Sequence, residues 1–170
     1  MKKIFPTYIL GVSTLLLGVM VSVGIYSAFF IFPKYFASPP VSFALWREDN
    51  ALSANSFWIP IQIGTLVTLT LALIFNWKFP IRRKRLLIVV SSYIVVWIIS
   101  LIFFVPLVME FLKMPANTVI TEELSKKIHN WQSLSWFRHI ILLAAYIIQL
   151  TALATPAIPM EKQTENHEKD

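Results

Sequence analysis

The chain has 170 residues, of which 56% are hydrophobic and only 14% charged, with a mean hydropathy of +0.66. A soluble domain of this size carries roughly 25% charged residues, so lipid must cover the apolar surface that one small core leaves over. The net charge of +6 lies between apolar blocks, which argues against a nucleic-acid stripe, and the lack of cysteine removes disulfides, thiolate metal centres and cysteine nucleophiles.

In chain order the sequence presents uncharged apolar stretches at Tyr8 to Phe32, Phe57 to Trp77, Leu86 to Met109 and Ile140 to Met160. Each has the roughly 20 residues that a helix needs to cross about 30 Å of hydrocarbon. Backbone groups in lipid must bond internally, and the lengths favour helices over barrel strands of about 10 residues. The expected fold is therefore all-α, an integral membrane four-helix bundle within residues 1–160, with spans near 8–32, 57–77, 86–109 and 136–160. Lys2 and Lys3 precede the first span as in a signal peptide. Its apolar run is too long for a signal core, and Ser38-Pro39-Pro40 makes a poor cleavage site. Residues 161–170 read as a disordered polar tail.

Lys2, Lys3, Lys78, Arg82, Arg83, Lys84, Arg85, Lys162 and Lys169 fall on one side, against Lys34, Arg47, Lys113, Lys126, Lys127 and Arg138 on the other. The Arg82 to Arg85 cluster, read as a turn, places both termini in the cytoplasm and predicts a multi-pass protein of the cell membrane, the bacterial inner membrane.

Helix faces follow from 100° steps. Gly11, Gly18 and Ser22 form a small-residue stripe on the first span. Trp58, Gln62, Thr65, Ala72 and Asn76 line the second. Tyr93, Trp97 and Ser100 share a face of the third, which Pro106 should kink. A fourth helix beginning near Ser133 gathers Ser135, Arg138, His139, Tyr146 and Gln149 into one arc. Thr121 to Trp136 is expected to lie as an amphipathic interfacial helix, with Trp131 and Trp136 at headgroup level and a lid as the sharper alternative.

The catalytic candidates are Arg138, to hold an anionic or enolate oxygen, and His139, to carry a proton. Glu110 is expected to pair with Arg138. Trp131, Trp136, Glu110, Tyr146, Gln149, Gln62 and Trp97 are the candidate substrate-binding residues. For Gln62, Tyr146 and Gln149 the plainer reading is interhelical hydrogen bonding. No cofactor is expected: a bis-His haem needs a second histidine at the depth of His139, and metal-ligand spacings, phosphate loops and nucleophile elbows are missing from the sequence.

Gly24-Ile25-Tyr26-Ser27 before Phe32-Pro33, Ala44-Leu45-Trp46-Arg47, Val105-Pro106-Leu107, and Trp131-x-x-Leu134-x-x-Phe137-Arg138 run in order along the chain. In these stretches the chain resembles the anthrone-oxygenase-like family of small four-helix membrane proteins, many of them a domain of unknown function. The resemblance implies a four-helix fold and, for a few relatives, oxygenation of an aromatic anthrone with O₂ and no evident metal. Such proteins often carry Asn where this chain has Phe104, and Asn or His at the position of Ser135. Arg138 carries over.

Two readings follow. One is an enzyme that binds or oxidises a hydrophobic aromatic ligand in an outward-facing bundle pocket reaching Arg138 and His139. The other is a non-catalytic membrane scaffold, or a partner- or lipid-binding bundle. The lipid bilayer is the expected partner and nucleic acid is not. Homo-oligomerisation stays open.

Overall fold

The computed structural model describes residues 4–48 and 54–157. Expectations about the tail 161–170, and about Lys2, Lys3, Lys162 and Lys169, lie outside the described residues. Four long helices carry the fold: α1 (Phe5–Tyr35), α3 (Ser56–Phe75), α4 (Pro80–Lys113) and α5 (Glu122–Ala154). A short helix, α2 (Phe43–Glu48), precedes α3. All four are long and apolar enough to cross a membrane, and among the described residues there is no strand, so the molecule is an all-α membrane helical bundle.

The helices alternate in direction, and α1 and α4 each pack on both α3 and α5. Viewed down the axis they form a square with α5 between α1 and α4. Large side chains at Leu15 and Ile102, each more than 70% exposed, face outward where lipid takes the place of a protein neighbour. The middle of the bundle is filled by Leu17, Met20, Leu69, Val89, Tyr93 and Leu142. The stripe predicted on the second span is turned inward, with Thr65, Ala72 and Asn76 fully buried.

Prolines shape three of the four helices. Pro33, Pro60 and Pro106 each stand two residues after a π-helical segment, namely Ser27–Ile31, Ala54–Trp58 and Ser100–Phe104. A proline ring collides with the carbonyl four residues before it and brings no N–H. A wider turn relieves the collision: Phe32 N–H donates to Ser27 O, and Val105 N–H to Ser100 O, across five residues. The kink expected at Pro106 is thus a π turn ahead of it, and α1 continues past Phe32 to Tyr35 for the same reason.

The two ends differ chemically. At one, Phe36, Phe43, Phe104, Phe111, Leu124 and Trp131 make an aromatic cluster. Here the sequence reading is corrected. The segment from Thr121 is not a separate interfacial helix but the first four turns of α5, capped by Thr121 Oγ1, which accepts from Leu124 N–H at 3.2 Å. Its apolar face is taken up by α1, α2 and α4, so Trp131 is 3% exposed and is core, not a headgroup anchor. Trp136 remains partly exposed, edge-on to Phe29 with ring centres 4.9 Å apart.

The other end is basic. Because α4 begins at Pro80, the residues Arg82 to Arg85 lie on its first turns rather than in a loop. Arg82 is 3% exposed. Its Nε donates to Thr155 O at 2.8 Å, and its Nη1 to Thr7 Oγ1 at 2.9 Å and Asn76 Oδ1 at 3.1 Å. Asn76 Nδ2 donates onward to the carbonyls of Pro6 and Ala72, both at 2.9 Å. Arg85 donates to Thr151 O at 2.7 Å and to Thr155 Oγ1. These cations satisfy carbonyls that the end of α5 leaves open, and Arg82 ties all four long helices together.

Candidate functional site

Arg138 lies on the side of α5 that meets α4. Its Nη1 donates to Ser100 Oγ and its Nη2 to Ser135 Oγ, both at 3.4 Å, and its guanidinium carbon stands 4.3 Å from the centre of the Phe104 ring. Both hydrogen bonds are long for N–H···O, so the charge is held mainly by the ring face and by two hydroxyl dipoles. The π segment of α4 creates this seat. Ser100 opens it and Phe104 closes it, one wide turn apart, so both reach the same guanidinium.

The expected carboxylate partner is elsewhere. Glu110 Oε1 sits 2.9 Å from Lys127 Nζ, which is also 3.2 Å from Glu123 Oε1. Among the described residues no acidic side chain pairs with Arg138. The Glu110 to Arg138 expectation is corrected because α5 starts three turns earlier than read from sequence, which brings Lys127 alongside Glu110.

His139 follows Arg138 in sequence but faces α1. A Cβ placed on Gly24 would come within 2.7 Å of His139 Cδ2 and 2.8 Å of Nε2, so the imidazole fills the place where any other residue at position 24 would carry a side chain. His139 is 6% exposed. The two catalytic candidates therefore address different neighbours, and Ser135, one turn before both, stands between them.

A cavity of about 220 Å³ opens between α1 and α5, lined by Ala28, Phe32, Pro33, Gln132, Ser135 and Trp136. It ends at Ser135, one side chain short of Arg138. A second groove, about 330 Å³, runs between α4 and α5 beside Phe103, Pro106 and the Glu110–Lys127 pair. Neither is lined by Arg138 or His139.

The other substrate-binding candidates do not converge. Gln62 Oε1 accepts from Trp97 Nε1 at 3.0 Å, and Gln62 O accepts from Tyr93 OH at 3.0 Å, joining α3 to α4. Gln149 Nε2 donates to Ser13 Oγ at 2.8 Å, joining α5 to α1. A Cβ on Gly18 would sit 3.1 Å from the Tyr146 ring, so Tyr146 occupies that glycine's place on α1. From Trp131 to Gln149 the candidates spread over about 27 Å of α5, too far for one small ligand. The sequence reading missed Ser100 and Phe104 as partners of Arg138, and Gly24 as the seat of His139. Gly24 stands in the Gly24-Ile25-Tyr26-Ser27 stretch, but a lone glycine does not name its partner. Among the described residues no group of His, Asp or Glu could hold a metal ion.

Comparison with family models, with curated proteins and with solved structures finds no match, and the functional reading therefore rests on this geometry.

Proposed function

We propose that this chain is a multi-pass protein of the bacterial inner membrane, basic end in the cytoplasm, that binds a hydrophobic aromatic molecule through an anionic oxygen held by Arg138. One observation carries the reading: among the described residues a guanidinium inside a membrane bundle has no carboxylate, only two hydroxyls at 3.4 Å and a ring. An ionised group there costs about 3 kcal/mol or more, and such residues mark ligand sites when nothing in the protein neutralises them. Ser135 connects that charge to the α1–α5 cavity, whose Phe32 and Trp136 walls suit a flat ring arriving sideways from lipid. A phenolate or enolate oxygen replacing the Ser135 contact would gain a two-pronged, charge-assisted bond. His139, on the α1 side of Ser135, is the group beside it that can carry a proton.

Binding is better supported than oxygenation. Phe104 and Ser135, the positions where the resembled family often has Asn or His, are the two residues that together with Ser100 surround Arg138. This chain has a ring and a short hydroxyl in place of those polar groups. A second reading, a non-catalytic scaffold, draws support from the Gln62–Trp97 and Gln149–Ser13 bonds, which join helices.

One substitution separates the two. The full-length protein in lipid nanodiscs is titrated with 1-naphthol, following quenching of tryptophan fluorescence, and its thermal unfolding is recorded without ligand. Arg138→Met should weaken binding at least tenfold while leaving stability unchanged or higher, because an unpaired buried charge has gone. Arg138→Lys should keep part of the binding. Unaltered binding together with lower stability would make Arg138 a structural residue and favour the scaffold.

A further inference from the structure

Of the five cations between Trp77 and Leu86, two are consumed inside the fold: Arg82 is buried in its network, and Arg85 bonds Thr151 and Thr155. Lys78, Arg83 and Lys84 are not. Lys78 and Lys84 are exposed, and Arg83 has its guanidinium carbon 5.2 Å from the centre of the Trp77 ring, an indole that is itself 51% exposed. Among the described residues no Asp or Glu lies at this end; Glu48, Glu110, Glu122 and Glu123 are all at the aromatic end. Beside the cations, Ile74, Phe75 and Ile81 present 42 to 58% of their surface outward, in the band where acyl chains would run.

We propose that Trp77, Lys78, Arg83 and Lys84 form a binding site for the phosphate of an anionic phospholipid. The contact with the Trp77 ring holds the Arg83 guanidinium beside the indole, and its fork suits two oxygens of one phosphate. Lys78 and Lys84 add charge without fixed geometry. The flanking apolar side chains favour a phosphate that carries its own acyl chains over a free anion. A zwitterionic headgroup gains little, because its own ammonium meets the same three cations. Each cation near an anionic headgroup strengthens association about fivefold, so the three together supply on the order of a hundredfold. The site is remote from Arg138 and independent of the function proposed above.

The test is a lipid titration of the full-length protein in detergent, read by native mass spectrometry, with phosphatidylglycerol and phosphatidylcholine compared. The expected result is a preference for phosphatidylglycerol that falls at least tenfold in the Lys78→Gln, Arg83→Gln, Lys84→Gln variant, with phosphatidylcholine binding unchanged. Arg83→Lys, which keeps the charge and loses the planar fork, should give an intermediate preference. The variant leaves Arg82, Arg85 and Asn76 intact, and its thermal unfolding should match the parent. If it does not fold, salt takes its place: raising salt from 50 to 500 mM must weaken phosphatidylglycerol binding in the parent protein and spare phosphatidylcholine. An unchanged preference in a folded variant, insensitivity to salt, or inorganic phosphate displacing the lipid at equal concentration would each overturn the proposal.

Discussion

Gly24 and Gly11 sit on the same helix and differ in what a methyl group would meet. At Gly24 the added carbon would lie 2.7 Å from the His139 ring; at Gly11 nothing lies within 4 Å. Gly24→Ala must therefore push the imidazole or separate α1 from α5, and we expect it to cost about 1–3 kcal/mol of stability in detergent. Gly11→Ala should be neutral or stabilise by up to ~1 kcal/mol, since alanine is the better helix former. Equal effects of the two changes would remove the packing account of Gly24. At this scale the sequence was partly readable. The wheel placed Arg138 and His139 on one inward arc, and both do turn inward, but an arc about 100° wide spans two neighbours. Arg138 went to α4 and His139 to α1, so the pair read as one catalytic unit is divided by Ser135.

At the level of the element, the basic cluster shows how one residue type serves two ends. Counted as charges, Arg82 to Arg85 report sidedness. In place on α4, Arg82 is the junction of four helices, with bonds to Thr155, Thr7 and Asn76. Arg82→Met would strand Asn76 Oδ1 and a carbonyl at the end of α5 without a donor. The expected loss is about 3 kcal/mol, read as a lowered unfolding midpoint, whereas Lys84→Met on the exposed side should change it little. Comparable losses would mean that charge count and not the network matters. The prolines make the complementary point. Each π turn inserts extra arc into its helix, so a wheel that advances 100° per residue loses phase after Ser27 and Ser100. On α4 the face read ahead of Pro106, with Tyr93 and Ser100, is buried, while the partners at the aromatic end beyond the π turn were not legible.

For the whole molecule the governing fact is that apolar side chains cover its outside as well as its inside. If the four helices cross a bilayer, the turn at Lys78 and the loop at Asn117 lie on opposite sides. The chain has no cysteine, so Lys78→Cys and Asn117→Cys can each be labelled singly with an impermeant thiol reagent on intact cells. Asn117→Cys should react and Lys78→Cys only after permeabilisation, given the excess of Lys and Arg at the basic end. Labelling of both on intact cells would refute the single crossing by α4 between them, and labelling of Lys78→Cys alone would overturn the sidedness drawn from the charges.

By itself the sequence determined the class of fold, four spanning helices and most of their buried faces, because these follow from the length of an apolar run, the 3.6-residue period and the scarcity of charge. Only the tertiary structure decided who meets whom: Lys127 at Glu110, Phe104 beneath Arg138, Gly24 under His139, Arg82 among four helix ends. Those pairings join residues far apart in the chain, across helices whose phase three prolines had shifted, and a periodicity read locally holds no information about which neighbour a face will find.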